Sequence, residues 1–167
     1  MPEKVFGPPP RPLTPFEAEI RSFTEAIIHD VELVVVLRGH LYLERAIFAL
    51  LCKSEPGRVD HFKGMTFSQK VTALQPKGLV PDEAIKGIRA INRIRNEFAH
   101  QLERTDLTAD DDRNVEATLT GPLAPMIAWM VRDEPFPLQG GRVRMGLIVL
   151  YTILRKADGV PVRTIKP

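Results

Sequence analysis

The segment DEAIKGIRAINRIRNEFAHQL, residues 82–102, decides the fold class of this chain. At about 100° per residue, its large apolar side chains fall on one stripe, and most of its polar side chains form a ridge beside that stripe. The stripe consists of Ile85, Ile88, Ile91, Ile94, Phe98 and Leu102, and the ridge consists of Arg89, Asn92, Arg93, Asn96 and His100. This pattern predicts an amphipathic α-helix that packs one face against other helices.

The rest of the chain also favours helices. Thr14-Pro15-Phe16-Glu17 and Thr66-Phe67-Ser68-Gln69 have the pattern of capping boxes, and Thr108 with Asp110 and Asp111 starts a later helix. Helices are predicted over residues 15–29, 31–53, 66–75, 82–102 and 142–156. The helix that begins after Thr108 is predicted to be bent or broken by Gly121, Pro122 and Pro125, before residues 126–132. Residues 55–64, 76–81 and 133–141 are predicted loops. Because no segment alternates with a period of two, the fold class is all-α, a small up-and-down helical bundle.

A chain of 167 residues suits one domain with a proper core. We expect a proline-rich extended or disordered arm at residues 1–13, a helical domain at 14–157 and a basic C-terminal tail at 158–167. Residues 31–53 are apolar on nearly every side, so we expect this helix in the middle of the bundle. Cys52 lies in it, and we expect a buried, inert thiol.

Two charged residues lie on predicted apolar faces. Arg95 falls inside the stripe of the 82–102 helix, and Glu44 shares a face with Leu33 and Leu37, one turn after His40. A buried charge is costly unless an opposite charge meets it. The sequence therefore predicts an ion pair between Glu44 and Arg95 that docks the two helices.

Arg95, Asn96 and His100 together offer chemistry that needs no metal. A fixed cation, a neutral amide and an imidazole that titrates near neutrality suit a phosphodiester. Five helical residues separate Arg95 from His100 by about 140° on an ideal helix. Either the helix unwinds near Ala99, or two copies of the chain build the site across a two-fold axis, which predicts a dimer.

Composition and charge restrict the classes of function that the sequence allows. The formal net charge is only +2, yet the basic residues gather at 85–104 and 138–167, a distribution that suits nucleic acid and equally a solvated surface. One cysteine and four histidines without metal-ligand spacing argue against a metal site, and we expect no cofactor. No signal peptide or membrane span is apparent, so we expect a cytoplasmic protein.

A helix-turn-helix over residues 66–94 is a minority alternative. Pro76 and Pro81 lengthen the connection beyond the usual turn, and the second helix is too apolar to lie in a DNA groove along its length.

The run FSQKVTALQPKGLVPDEAIKGIRAINRIRNEFAH, residues 67–100, resembles the HEPN superfamily of small helical domains. The likeness is closest to the branch that contains the mannitol operon repressor and related regulators, and it covers roughly residues 30–115. Three features carry it: the inward acid in Leu43-Glu44-Arg45-Ala46, the helix with Phe67, Lys70 and Leu74, and the Arg-polar-x-x-x-His signature at Arg95, Asn96 and His100.

The resemblance implies one of two functions. Many HEPN proteins are metal-independent endoribonucleases, often toxins or defence effectors, and others are regulatory or interaction modules without cleavage activity. For the first, the resemblance implies Arg95, Asn96 and His100 as catalytic residues, with Glu44 and His40 supporting the arginine. Arg89, Asn92 and Arg93 are then expected to bind nucleic acid. The expected partners are RNA as substrate, a second copy of the chain, and an antitoxin or regulatory protein.

Overall fold

The computed structural model describes residues 12–28, 31–101, 103–127 and 140–159. The α-helices in these ranges include α1 Pro15–Ile28, α2 Glu32–Ser54, α3 Val59–Lys63, α4 Phe67–Leu74, α5 Asp82–His100, α6 Ala109–Glu116 and α7 Gly141–Ala157. Short 3-10 turns lie at Pro56–Arg58, Gln75–Lys77 and Gly121–Leu123, and residues 124–127 are helical. The described residues contain no strand, so the all-helical fold class is confirmed.

The three threonines that the sequence places at helix starts, Thr14, Thr66 and Thr108, all cap their helices. The Thr14 hydroxyl accepts from the Glu17 amide, and the Glu17 carboxylate accepts from the Thr14 amide at 2.8 Å. Thr66 with Gln69, and Thr108 with Asp111, form the same reciprocal box. Each box satisfies two backbone donors that the first helical turn leaves unpaired, which explains why these local patterns determine where the helices begin.

The acidic run at the start of α6 also caps a second helix. Asp112 is buried, and its carboxylate accepts hydrogen bonds from the backbone N–H groups of Gly140 and Val143 at 2.9 and 3.0 Å. These donors belong to the first turn of α7, where the helix dipole favours a negative charge. The carboxylate therefore ties α6 to the beginning of α7.

α7 is the most enclosed helix of the described part. It contacts α1, α2, α5 and α6, and its buried side chains run from Val143 to Leu154. Glycines allow the close approach: a Cβ on Gly39 of α2 would meet Leu147 at 2.5 Å, and one on Gly146 would meet Val115 of α6 at 2.5 Å. The core therefore forms around the last described helix of the chain.

The prediction that residues 31–53 lie in the middle of the bundle is wrong for one face of α2. Leu33, Leu37 and Leu41, spaced four residues apart, are 38%, 40% and 62% exposed. We call these three residues the leucine stripe. An apolar sequence identified a helix correctly but could not show whether every apolar face meets another helix.

Smaller differences concern the connections. Residues 55–64, predicted as a loop, include α3, whose Phe62 is fully buried in the core. Cys52 is half-buried against the core rather than enclosed in it. The predicted arm (residues 1–13), tail (158–167), 126–132 helix and 133–141 loop fall wholly or largely outside the described residues. Within the described ranges, no helix combines the length and apolar character needed to cross a bilayer.

Candidate phosphodiester site

Five polar side chains meet where α2, α4 and α5 pack together. They are His40 and Glu44 from α2, Lys70 from α4, and Asn92 and Arg95 from α5, and we call them the junction cluster. The apolar faces of the three helices bring them there, because Leu43, Val71 and Ile91 are all buried beneath the cluster's helices. Four of the five, all but Lys70, were predicted as inward-facing or site residues from the sequence.

Glu44 pairs with Lys70, not with Arg95. The Lys70 ammonium donates to Glu44 Oε1 at 2.6 Å, and the Lys70 side chain is only 10% exposed. The predicted Glu44–Arg95 ion pair is therefore wrong, and so is direct support of Arg95 by a Glu44 carboxylate contact. The prediction matched charges on two helices only, whereas a third helix, α4, places a cation closer to the acid.

Arg95 is half-buried without a carboxylate partner. Its Nη1 donates to Asn96 Oδ1 at 3.2 Å, and no Asp or Glu of the described residues lies within 4.0 Å of its guanidinium. A guanidinium stays charged and carries five N–H donors, so one neutral acceptor leaves most of them available. The side chain can therefore bind an anion that the described part of the chain does not supply.

His40 lies beside Arg95 as a buried, neutral imidazole. It is 6% exposed and stacks on Phe67, with ring centroids 4.1 Å apart. Burial lowers the pKa of His40 below its ordinary 6.5, and Arg95 adds to this effect, while the hydrogen bond to Asn92 and the charge of Glu44 oppose it.

Asn92 completes an internal chain of hydrogen bonds. Its Oδ1 lies 3.1 Å from His40 Nε2, and its Nδ2 donates to Ser68 Oγ at 3.2 Å. Because the oxygen faces the imidazole, Nε2 carries the proton in the neutral ring. Both ends of this amide are hydrogen-bonded within the protein, which gives Asn92 a structural role, and its contact with nucleic acid stays a prediction.

His100 is exposed at the end of α5, and the structure does not bring it onto the same face as Arg95. α5 remains helical through His100, so unwinding near Ala99 is excluded and the two residues stay about 140° apart. Asn96 lies one turn before His100 and shares its face. Within one chain, the three signature residues therefore do not converge on one phosphate.

Arg104, which the sequence did not identify, anchors the chain that leaves His100. Its guanidinium lies 4.7 Å from the Phe98 ring centroid and pairs with Glu97 of α5 and Asp111 of α6. This clamp fixes the segment after α5 against two helices. Lys70 was named in the resemblance, but its pairing with Glu44 was not predicted, although its position between Phe67, Val71 and Leu74 indicates an inward-facing cation.

An open groove of about 710 Å³ lies between α3 and α4, next to the junction cluster. Its lining includes Asp60, His61, Met65, Ser68, Gln69 and Thr72. With one carboxylate and no lysine or arginine in that lining, the groove does not suit a phosphate. Across the described residues, no group of three or more His, Cys, Asp or Glu side chains is placed to hold a metal ion.

No family model, curated protein or solved structure matches this chain, so the HEPN likeness depends on the residues themselves.

Proposed function

We propose that this protein is a HEPN-type, metal-independent endoribonuclease that cleaves RNA by attack of the 2′-hydroxyl on the adjacent phosphate. The observation that carries the proposal is the half-buried side chain of Arg95, which has no carboxylate partner among the described residues because Lys70 pairs with Glu44. A partly buried, uncompensated cation gains free energy when it binds an anion. A phosphate fits the planar donor pattern of a guanidinium in two-point contact.

The site is assembled from two protomers. Arg95 and His100 point away from each other on an intact helix, so Arg95 of one copy meets the phosphate together with His100 of its partner. The leucine stripe on α2 supports this arrangement, since it lies on the part of α2 that carries His40. Exposed contiguous apolar surface next to a functional residue is typical of an interface between chains.

In the proposed reaction, His100 acts as the general base. It removes the proton from the 2′-hydroxyl, the 2′-oxygen attacks phosphorus, and the bond from phosphorus to the 5′-oxygen breaks as that oxygen takes a proton from water. Arg95 stabilises the negative charge that builds on the phosphorane oxygens, and Asn96 orients the phosphate. The products are a 2′,3′-cyclic phosphate and a free 5′-hydroxyl.

The deciding assay incubates purified protein with mixed RNA in EDTA and scores both cleavage and 2′,3′-cyclic phosphate ends. We expect cleavage to persist in EDTA, and His100→Ala to abolish it while folding and RNA binding are retained, because the exposed ring contributes little packing. Arg95→Ala is expected to lose cleavage and part of the RNA affinity. A wild-type protein that binds RNA but does not cleave it would refute the proposal that this protein is an endoribonuclease.

A second function has one observation in its favour. The leucine stripe is an apolar surface that a different protein can also cover, and this suits a regulatory HEPN module that acts on transcription through a protein or nucleic-acid partner. In that case Arg95→Ala and His100→Ala leave the biological activity unchanged, whereas substitutions in the stripe abolish it.

A further inference from the structure

We propose that a single strand of RNA runs along the exposed face of α5, with successive phosphates bound by Arg93, Arg89 and Lys86 beyond the bond that is cut beside His100. This inference rests on the proposed function and adds to it the path and strandedness of the substrate. It also adds Lys86, which the signature does not contain, to the binding surface.

Helix geometry places these side chains in one line. Lys86, Arg89, Arg93 and His100 are spaced by three, four and seven residues, which keeps them within an arc of about 60°. All four side chains are exposed. At about 1.5 Å of rise per residue, the line from Lys86 to His100 is about 21 Å long, enough for a short run of nucleotides.

Two of the three cations on this line have no carboxylate partner among the described residues. Neither Lys86 nor Arg89 has a carboxylate of the described residues within 4.0 Å, and Arg89 donates only to the neutral amide oxygen of Gln75, at 2.9 Å. Arg93 lies 3.7 Å from Glu97, but that carboxylate is also held by Arg104. The line therefore keeps a positive field along its length.

Exposed cations on other helices are arranged differently. Arg21 on α1 pairs with Glu25 at 2.8 Å, and Lys63 on α3 pairs with Asp60 at 3.0 Å. These contacts are the usual local ion pairs of a solvated helix face. On α5, by contrast, Lys86 and Arg89 have no such local carboxylate partner among the described residues.

Asp82 ends the line of cations on the side away from His100. It lies one turn before Lys86 on the same face and is exposed, so its carboxylate repels a further phosphate. The surface thus binds a limited number of phosphates on one side of the cut. The strand must be unpaired near the cut, because a regular A-form helix does not align the 2′-oxygen with the bond that breaks.

The test measures the affinity of a single-stranded oligouridine against salt concentration, in a His100→Ala background that prevents cleavage. For single strands, the logarithm of affinity falls with a slope of about 0.7 per neutralised phosphate. We expect Lys86→Ala, Arg89→Ala and Arg93→Ala each to reduce that slope by about 0.7, and the triple variant by about 2. Arg21→Ala removes the same charge from α1, which packs on α2 and α7, and is expected to leave the slope unchanged.

Three results would overturn the inference: equal slopes for the triple variant and the parent, tighter binding of duplex than of single-stranded RNA, or no RNA binding at low salt. The last result would indicate a protein partner for this face. Because binding is measured without cleavage, a protein that shows these slopes but never cuts RNA would refute the nuclease and leave the binding surface in place.

Discussion

Lys70 is the residue that determines how Arg95 can act, because it takes the carboxylate that Arg95 lacks. Glu44→Ala removes the partner of a lysine whose side chain is 10% exposed, and we expect a loss of about 2 kcal/mol in the free energy of unfolding. Urea unfolding measures it. Glu44→Ala with Lys70→Met should recover much of this loss, because no unpaired charge remains.

The matched control for this cycle is Glu44→Ala with Arg95→Met. Since Glu44 does not contact Arg95, the two effects should add. Strong coupling of Glu44 to Arg95 instead of Lys70 would mean that the junction cluster is paired differently in solution.

His40 makes the stability of the protein depend on pH. Its pKa is lowered by burial, so between its folded pKa and the ordinary 6.5 the unfolded chain binds more protons than the folded chain. Its contribution to stability is therefore complete above pH 6.5 and decreases as the pH falls towards the folded pKa. We expect His40→Gln, which keeps a donor for Asn92, to lose stability less steeply between pH 7 and 5.

The measurement is urea unfolding of both proteins across that range, with the imidazole signal of His40 followed by NMR. The difference between the two curves isolates His40 from the carboxylates that titrate below it. An NMR pKa for His40 at or above 6.5 would contradict the buried, neutral ring.

At the scale of helices, the sequence predicted where most elements begin but not which elements meet. The boxes at Thr14, Thr66 and Thr108 are local, because each cap bonds a residue three positions away. The first two were predicted as capping boxes, and Thr108 was predicted to start a helix. Which cation reaches Glu44 depends on the approach of α4 to α2, two helices separated along the chain. Periodicity within one helix holds no information about that approach, so the pairing of Glu44 with Lys70 could not be predicted.

The same limit explains why the sequence did not show that α7 is more fully buried than α2. Both sequences are apolar nearly all round, and each alone is suited to a central position. The depth to which each helix is buried depends on Gly39 and Gly146, where neighbouring helices come too close for a Cβ. A glycine in a helix sequence shows that another helix can approach closely, but it does not indicate which helix does so.

Asp112 offers a test of how α6 and α7 are joined. Asp112→Ala leaves the Gly140 and Val143 amides without their buried acceptor, and we expect a loss of about 1–2 kcal/mol in the free energy of unfolding. Asp110→Ala, two residues earlier, removes only an exposed pair with Arg113 and should cost less than about 0.5 kcal/mol. Equal losses in the two variants would show that the cap adds nothing.

For the whole molecule, the leucine stripe predicts self-association. Replacing Leu37 and Leu41 with lysine should convert the dimer to a monomer, because burial of each leucine contributes roughly 1.5–3 kcal/mol and lysine adds a charge to desolvate. Light scattering after size exclusion gives the mass. Leu79, 41% exposed in the connection before α5, provides the control, since its replacement by lysine should leave the dimer intact.

The composite site can be tested by mixing two inactive proteins. In a two-fold dimer, each site takes Arg95 from one protomer and His100 from the other. A heterodimer of Arg95→Ala and His100→Ala then has one site that lacks both residues and one that has both. Random exchange of equal amounts makes about half of the dimers mixed, so activity should return to about a quarter of the wild-type value.

The assay is RNA cleavage after the two variants are mixed under exchange conditions, with each variant alone as the control. If both residues act within one chain, every site in the mixture keeps its defect and no activity returns, even though the dimers exchange.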